Sequence, residues 1–292
     1  MAESLRDIRR KTQAVEKTKQ ITRAMNMVAA SKLKNAQVRM ENFKPYAEKV
    51  LEVLNSLASR VMSTTNPLLA VRESQRIRLL LITSDRGLCG GFNTNVIKMA
   101  EGFIREKKKE GKEVSVIAVG KKGRDYFKKK ENILSYHIDV LGSFDMSLAV
   151  ALGEEVIPAF ISEEYDELHV AYNEFRNVAS QKPKMMKLLP LSPEDFSDEK
   201  GESFGGYIYE PSEEELLAQI IPMYLKVQTF NALLQTSAGE HGARMVAMEN
   251  ATSNCEEMIE SLTLKFNKAR QAAITAELMD IVGGTEALAK SS

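Results

Sequence analysis

The stretch that decides the fold is residues 4–57, at the start of the chain, which reads SLRDIRRKTQAVEKTKQITRAMNMVAASKLKNAQVRMENFKPYAEKVLEVLNSL. Apolar or small residues recur in it at spacings of three and four, which is the period of one narrow face of an α-helix. Ser4 and Asp7 offer an N-cap, and no glycine interrupts the pattern before the segment 64–67. The stretch therefore predicts one long helix with a kink at Pro45. The residues of the predicted face are Ile8, Thr12, Val15, Thr18, Thr22, Met25, Ala29, Leu33, Ala36, Met40, Phe43, Ala47, Val50, Leu54, Leu57 and Val61.

A second long helix is predicted at the other end of the chain. Ser212 and Glu215 have the spacing of a reciprocal capping box at its start, directly after Pro211. Apolar or small residues then recur at helical spacing until Gly283 and Gly284, which predict its end. The residues of this second face are Leu216, Ile220, Met223, Val227, Phe230, Leu234, Ser237, His241, Arg244, Met248, Ala251, Cys255, Met258, Leu262, Phe266, Ala269 and Ala273.

These two helices are too long to pack inside one globule. At 1.5 Å per residue they would measure roughly 90 and 105 Å, several times the radius of gyration of a compact domain. One joins the middle of the chain by its C-terminal end and the other by its N-terminal end, so a pair of them must run antiparallel. We therefore expect an antiparallel coiled coil that projects from a central head. The predicted domains are the N-terminal coiled-coil helix at 1–65, the head at 66–206 and the C-terminal coiled-coil helix at 207–292.

Composition limits the kind of protein. With 292 residues and 43% hydrophobic content, the chain can bury a substantial core. Forty basic residues balance forty acidic ones, which argues against nucleic acid as the main partner. The start of the first helix is locally basic, and this predicts either a solvated helix face or a surface for an acidic partner. No stretch approaches the ~20 apolar residues that span a bilayer, so we expect a soluble or peripheral protein. The basic residues are Arg6, Arg9, Arg10, Lys11, Lys17, Lys19 and Arg23.

Between the long helices, short apolar runs alternate with helical patterns. The alternation predicts a mostly parallel, Rossmann-like α/β head with three layers. An acidic segment at 192–206 predicts a loop that leads to the second long helix. The predicted strands cover residues 76–83, 114–119, 167–175 and 184–191. The predicted helices of the head cover residues 93–109, 121–130 and 145–161.

The loop SDRGLCGGF, residues 84–92, follows the first strand, where a nucleotide-binding protein would place its phosphate loop. It lacks both the G-x-G-x-x-G spacing and the terminal Lys and Ser/Thr of a P-loop. A tight turn that glycine permits, and that packs the strand against its helix, is the favoured interpretation. A nucleotide-binding α/β enzyme with helical dimerisation arms stays open as the alternative function.

Other catalytic patterns are missing from the sequence. His137, His169 and His241 lie far apart, without Cys or carboxylate partners at the spacing of metal ligands, and there is no G-x-S-x-G motif. Cys89 and Cys255 are expected to be small packing residues in a reducing compartment. We therefore predict no catalytic residue, no metal and no cofactor.

Five segments of the chain closely resemble the γ subunit of F-type ATP synthases, in the order in which the family carries them. The resemblance runs from end to end, without the large insertion that holds the redox switch of chloroplast members. No mitochondrial transit segment precedes it, so we expect a bacterial member. The segments are 8–11 (IRRK), 19–32 (KQITRAMNMVAASK), 83–93 (TSDRGLCGGFN), 242–248 (GARMVAM) and 267–278 (NKARQAAITAEL).

The resemblance implies a central rotor shaft. Such a shaft couples transmembrane proton or other ion flow through the c ring to conformational cycling of the catalytic β subunits, which make ATP. The implied partners are three α and three β subunits, the ε subunit and the c ring, with neither nucleic acid nor a small-molecule substrate. The implied place is the cytoplasmic face of the inner membrane, as a non-catalytic peripheral subunit of a complex that carries out hydrogen ion transport. A coiled-coil scaffold unrelated to ATP synthesis is a third possibility.

The resemblance also implies functional positions. Tyr207 and Tyr209 resemble the foot of the shaft, which meets the c ring and ε. Arg244 falls on the predicted face of the second helix, so its guanidinium should reach either the surrounding ring or a carboxylate. The positions implied to contact β and to transmit torque are Arg23, Met25, Arg244, Gln271, Thr275 and Glu277.

The end of the second helix carries a separate signal. Within residues 272–282, eight of eleven are apolar, and only Glu277 and Asp280 are charged. Counted from the head, the second helix outruns the first by roughly ten residues, or ~15 Å, so this end has no partner within the chain. A frayed tail would favour polar residues instead. We therefore expect another protein to enclose Ile274, Leu278, Ile281 and Val282.

Overall fold

The computed structural model describes residues 4–58, 66–191, 210 and 212–290. The chain forms two compact units, one of Met1–Val28 with Met245–Ser292 and one of Ala29–Arg244. The domain boundaries predicted at residues 65 and 206, and the predicted loop at 192–206, lie outside the described residues. That division of the chain therefore stays a prediction.

The first long helix, α1, covers Leu5–Ala58 and passes through Pro45. It begins as predicted, because the backbone N–H of Asp7 donates to Ser4 Oγ at 3.2 Å. Of the fifteen described residues of its predicted face, only Thr18 is exposed. The three-and-four spacing therefore identified the face of α1 that is buried.

The second long helix, α5, covers Glu213–Lys290. Its start has half of the predicted capping box, since the N–H of Glu215 donates to Ser212 Oγ at 3.2 Å. The predicted end at Gly283 and Gly284 is wrong, because the helix continues through both glycines. Neither glycine adopts a positive φ angle. A glycine inside a helix costs only about 1 kcal/mol, so it permits a helix end without imposing one.

Within the unit of Met1–Val28 and Met245–Ser292, α1 and α5 run antiparallel. In three pairs of polar side chains that join them, the two residue numbers add up to 274 or 275, and such a constant sum indicates opposite chain directions. The pairs are Lys19 with Glu256 at 2.7 Å, Thr22 with Thr252 at 2.8 Å and Asn26 with Glu249 at 2.5 Å. The predicted antiparallel coiled coil is therefore confirmed.

The unit Ala29–Arg244 contains a five-stranded sheet in the order β3-β2-β1-β4-β5. The first four strands in this order are parallel, and β5 is antiparallel to β4. The sequence patterns missed β3, which is a half-exposed edge strand with a bulge between Ile133 and Ser135. The strands are β1 Arg76–Ile82, β2 Glu113–Val119, β3 Asn132–His137, β4 Glu167–Asn177 and β5 Ser180–Leu189.

Helices cover both faces of this sheet. Leu79 and Leu81 of β1 pack with α2 on one face, and Leu80 and Ile82 pack on the other face with α4 and with parts of α1 and α5. Full burial of each such side chain contributes about 1.5–3 kcal/mol. The head helices are α2 Phe92–Lys109, α3 Lys121–Phe127 and α4 Met146–Ile161, and Asn66 caps a short 3-10 helix at Pro67–Leu69. The predicted Rossmann-like three-layer head is confirmed.

Candidate functional site

The last part of α5 carries the most exposed cluster of apolar residues predicted to contact a partner. We call residues Ile274–Val282 the tip, and every residue in it is exposed. The exposed fractions are 49% for Ile274, 57% for Leu278, 63% for Ile281 and 56% for Val282. At about 100° per residue, these four side chains lie on one face of the helix, roughly 100° wide. The tip is therefore an apolar helix face that nothing in the described chain covers.

The exposure of the tip follows from where α1 begins. Since paired residues of α1 and α5 add up to 274 or 275, Leu5 lies opposite about residue 270. Beyond that point α5 has no residue of α1 beside it.

Three of the predicted torque positions lie at or next to the tip. Gln271, Thr275 and Glu277 are all exposed. The Thr275 hydroxyl donates to the Gln271 carbonyl at 2.9 Å, so that hydrogen bond stays within the helix. Arg23 of α1 is also exposed, whereas Met25 is half-buried. Their side chains thus stand at the surface of this unit or partly within it.

Arg244 lies in the other unit and has a different environment. Its guanidinium Nη2 donates to Glu240 Oε1 at 2.7 Å and to the Gly87 carbonyl at 3.2 Å. The exposed fractions of the two side chains are only 12% for Arg244 and 8% for Glu240. Of the two destinations that the sequence left open, the carboxylate is the one observed. The positions predicted to transmit torque are therefore divided between the two units.

The loop that Arg244 reaches is residues 84–92, between β1 and α2. Asn93 organises it, because its Oδ1 accepts from the N–H of Ser84 at 2.9 Å and its Nδ2 donates to Ser84 Oγ at 2.7 Å. Asp85 Oδ1 accepts from the N–H groups of Lys121 and Asp139, each at 3.0 Å. The loop is thus a tight, side-chain-bonded turn, as the sequence predicted.

Two side chains of the loop point outward. Arg86 and Leu88 are exposed, and Leu88 has a φ of 62°. That conformation is uncommon for a residue other than glycine, Asn or Asp. Cys89 is buried beside them, and burial raises the pKa of its thiol.

The crevice where a doubly wound enzyme would hold its ligand is filled by the chain itself. In such folds the ligand lies outside the carboxyl ends of the strands, where the strand order reverses, which here is beside β1 and β4. A Cβ added at Gly239 of α5 would lie 2.9 Å from the Phe92 ring, so the helix backbone is packed against this loop. Asn173 of β4 donates to the Phe92 carbonyl at 3.1 Å. The alternative of a nucleotide-binding enzyme is therefore not favoured.

Two of the three histidines have carboxylate partners that their spacing did not reveal. His137 contacts Glu155 at 3.3 Å and His169 contacts Glu167 at 2.8 Å, so both have a carboxylate partner after all. His241 is half-buried on α5, and its Nδ1 has no hydrogen-bond partner among the described residues. Burial, with the nearby charges of Arg244 and Lys32, lowers the pKa of His241 to about 4.

The described residues contain no cluster of His, Cys, Asp or Glu that could hold a metal ion. Among the helices described, none combines the length and the apolar character needed to cross a bilayer.

The sequence patterns missed three residues that shape the loop site, namely Glu240, Asn93 and Asn173. Glu240 could have been found, because it precedes Arg244 by four residues on a predicted helix, the spacing of an ion pair. The side chain of Asn93 bonds residues of its own loop, whereas the contact of Asn173 depends on how β4 lies beside β1, and no residue spacing indicates either.

Comparisons with known proteins show the family to which the chain belongs. A protein-family model described as ATP synthase matches residues 4–288. The ATP synthase gamma chain of Syntrophus aciditrophicus is 59% identical, and the match covers 98% of this chain and 99% of that protein. The gamma chain of Maridesulfovibrio salexigens is 51% identical over the same shares of the two chains.

Solved structures give the same result for the fold. A chain of the central stalk and c-ring structure of Tetrahymena thermophila mitochondrial ATP synthase matches with a TM-score of 0.60 and 27% identity, over 79% of this chain and 99% of that one. A chain of Euglena gracilis mitochondrial ATP synthase matches in fold with a TM-score of 0.69 and 24% identity, over 97% of this chain and 94% of that one. As its five motifs predicted, the chain belongs to the γ subunits of the F-type ATP synthases, which are non-catalytic, peripheral subunits of the central stalk.

Proposed function

We propose that this chain is the rotor shaft of a bacterial F-type ATP synthase, at the cytoplasmic face of the inner membrane. Ion flow through a c ring turns the shaft, and the turning shaft drives the catalytic β subunits through their conformational cycle. The partners are three α and three β subunits, the ε subunit and the c ring. The match to a central stalk solved together with a c ring supports the last of these.

The exposed tip is the observation that carries the proposal. Four large apolar side chains on one helix face, each about half exposed or more, would be costly to leave in water. A surrounding ring of subunits would cover them and provide a bearing for the shaft. Gln271, Thr275 and Glu277 stand exposed beside that face, where they would contact the β subunits.

The other proposed contacts lie elsewhere along the chain. Arg23 and Met25 would contact the β subunits from α1, within a locally basic stretch that suits an acidic surface. Tyr207 and Tyr209, which lie outside the described residues, would form the foot that meets the c ring and ε.

The first test is reconstitution. Purified α and β subunits are mixed with this chain, and ATP hydrolysis is compared with that of the chain alone and of α and β alone. We expect the mixture to show far more activity than either separate sample. Hydrolysis by the chain alone, or micromolar binding of a nucleotide to it, would contradict the proposal and favour the enzyme alternative.

The second test concerns the tip. The triple variant Ile274→Ser/Leu278→Ser/Val282→Ser removes one Ile, one Leu and one Val from it. The matched control, Ile161→Ser/Leu134→Ser/Val71→Ser, removes the same residue types at exposed positions of the head. Losing ~1 kcal/mol per side chain should weaken binding to the α and β subunits on the order of 100-fold for the tip variant. Equal affinity of the two variants would show that the ring does not cover the tip.

A further inference from the structure

We propose that Arg244 acts by holding the loop at residues 84–92 against α5, and not by reaching a neighbouring subunit with its guanidinium. We call Glu240, Arg244 and the Gly87 carbonyl the loop clamp. In this assignment Glu240 and Arg244 are positioning residues, and the surface that they position is formed by Arg86 and Leu88. The inference rests on the proposed function, since it states how Arg244 serves the shaft.

The geometry of the clamp joins two elements. Glu240 and Arg244 are four residues apart on α5, so their 2.7 Å ion pair stays within one helix turn. The 3.2 Å bond from Arg244 to the Gly87 carbonyl leaves the helix and reaches the loop. A guanidinium has five N–H donors in a rigid plane, so it can serve a carboxylate and a carbonyl at once.

Burial makes the clamp costly to open. Burial raises the pKa of Glu240, while the charge of Arg244 opposes that rise. The buried carboxylate of Glu240 is stabilised by the positive charge of Arg244. Removing either side chain leaves the charge of the other buried without its ion-pair partner. An exposed pair of the same spacing, Lys44 with Glu48, has no such requirement, because both of its side chains are more than 60% exposed.

The clamp supplies the bond from α5 to the middle of the loop, whereas the other bonds of the loop hold its own shape. Ser84 Oγ donates to the Arg86 carbonyl at 2.6 Å, and Asn93 Nδ2 donates to Cys89 Sγ at 3.2 Å. Ser84 is bonded to Asn93, and Asp85 accepts from two backbone N–H groups, so the start of the loop is fixed without Arg244. The middle of the loop is joined to α5 through the Gly87 carbonyl. Arg86 and Leu88 flank Gly87 and are exposed, so releasing this bond would let the segment that carries both side chains shift relative to α5.

The position of Cys89 allows the clamp to be measured directly. Cys89 is 2% exposed and lies two residues after Gly87, so a thiol reagent can reach it only when the loop opens. The full chain is prepared in a Cys255→Ser background, so that Cys89 is the only thiol. Since burial raises the pKa of the Cys89 thiol, the charge of Arg244 lowers it and that of Glu240 raises it, each alkylation rate is divided by the thiolate fraction measured for that variant. These rates are then compared among the parent, Arg244→Gln, Glu240→Gln, the double variant and the exposed-pair control Glu48→Gln.

We expect alkylation on the order of 10-fold faster in Arg244→Gln and in Glu240→Gln, with little further increase in the double variant, because the two residues act as one unit. Glu48→Gln should react at the parent rate. Urea unfolding of each variant separates loop opening from a general loss of stability. Alkylation at the parent rate in both clamp variants would overturn the proposal.

The same variants are then assembled with the other subunits, and coupled ATP synthesis is measured. If Arg244 acts through the loop, Glu240→Gln lowers the synthesis rate as Arg244→Gln does, although it leaves the guanidinium in place. If Arg244 instead contacts a neighbour directly, Glu240→Gln retains synthesis, and the proposal fails. Synthesis that no clamp variant changes would also overturn it. Neither of these two results would contradict the proposed function, because that function is tested by whether the unmodified chain activates the α and β subunits.

Discussion

One helix contains both an apolar stretch without an exposed residue and an apolar stretch in which every residue is exposed. From Tyr224 to Gly242, a stretch described throughout, no residue of α5 is exposed, whereas every residue of the tip is. We call Tyr224–Gly242 the buried stretch. Both stretches are rich in apolar residues, so composition alone does not separate a helix that packs in its own core from one prepared for a partner.

The difference lies in what surrounds each stretch. The buried stretch packs in the head unit with residues of the sheet and of α4, including Leu80, Val156 and Val170. The tip is exposed to solvent along its whole length, because α1 begins opposite about residue 270. The same side-chain chemistry therefore stabilises the fold in one place and is available for assembly in the other.

The largest expected effect comes from shortening a leucine in each stretch. Leu233 is fully buried and Leu278 is 57% exposed. Leu233→Ala should lower the free energy of unfolding by about 2–5 kcal/mol, because it removes buried apolar area and leaves a cavity. Leu278→Ala should change it by less than about 0.5 kcal/mol. Urea unfolding of the isolated chain measures both, and equal losses would mean that the tip is covered within the chain.

The sequence could predict both long helices, because their periods persist over many turns, and it could predict four strands from their apolar runs. It missed β3, because the large apolar residues Leu134 and Tyr136 of that strand are exposed while Ser135 lies on the half-buried side, and it ended α5 too early at Gly283. It also could not tell that the buried stretch packs on the sheet, since that depends on contacts between residues distant in sequence.

The same limit applies to the candidate site. The segment 242–248 indicated Arg244 as a candidate site residue. Because a buried guanidinium needs a hydrogen-bond acceptor, a carboxylate was one of its two expected partners. The Gly87 carbonyl could not be anticipated, because the turn that presents it depends on bonds of Asp85 to the distant residues Lys121 and Asp139. The exposure of the tip was expected from helix lengths alone, which is a simpler inference than any side-chain contact.

The second prediction uses pH to probe the end of the buried stretch. The pKa of His241 is about 4 in the folded chain against an ordinary value of 6.5. Between these values the unfolded chain binds a proton that the folded chain does not, so the free energy of unfolding falls as pH falls through this window. The full loss by pH 4 and below is about 3 kcal/mol.

Replacing His241 removes its contribution to the pH dependence of the free energy of unfolding and leaves the other titrating groups in place. Urea midpoints of the parent and of His241→Gln are compared from pH 7 to pH 4. We expect the parent to lose more stability than the variant over that range. Parallel pH profiles would show that His241 is protonated as easily in the folded chain as in the unfolded one.

The third prediction compares glycines of α5 in the two environments. A Cβ at Gly239 would lie 2.9 Å from the Phe92 ring, whereas a Cβ at Gly283 would meet nothing within 4 Å. Gly239→Ala should therefore be destabilising by about 1 kcal/mol, because overpacking outweighs the gain in helix propensity. Gly283→Ala should be stabilising by about 0.5–1 kcal/mol. The midpoint temperatures of thermal unfolding of both variants measure these effects. A stabilising effect of Gly239→Ala would mean that α5 is not tightly packed against the loop.

The smallest expected effect tests the part of α5 between Met245 and the tip, where α5 is paired with α1 alone. Thr22 is 8% exposed, and its hydroxyl lies 2.8 Å from that of Thr252. A double-mutant cycle with Thr22→Val and Thr252→Val should give a coupling of about 1 kcal/mol, since each single change leaves the other hydroxyl without its partner across the helices.

Thr263 supplies the control for that cycle, because it is exposed and its hydroxyl bonds only the Ile259 carbonyl of its own helix. Combined with Thr22→Val, Thr263→Val should show no coupling in urea unfolding. A coupling near zero for Thr22 with Thr252 would mean that the polar pair contributes no measurable stability. The pairing of α1 with α5 would then depend on the apolar face and on the two remaining polar pairs, Lys19 with Glu256 and Asn26 with Glu249.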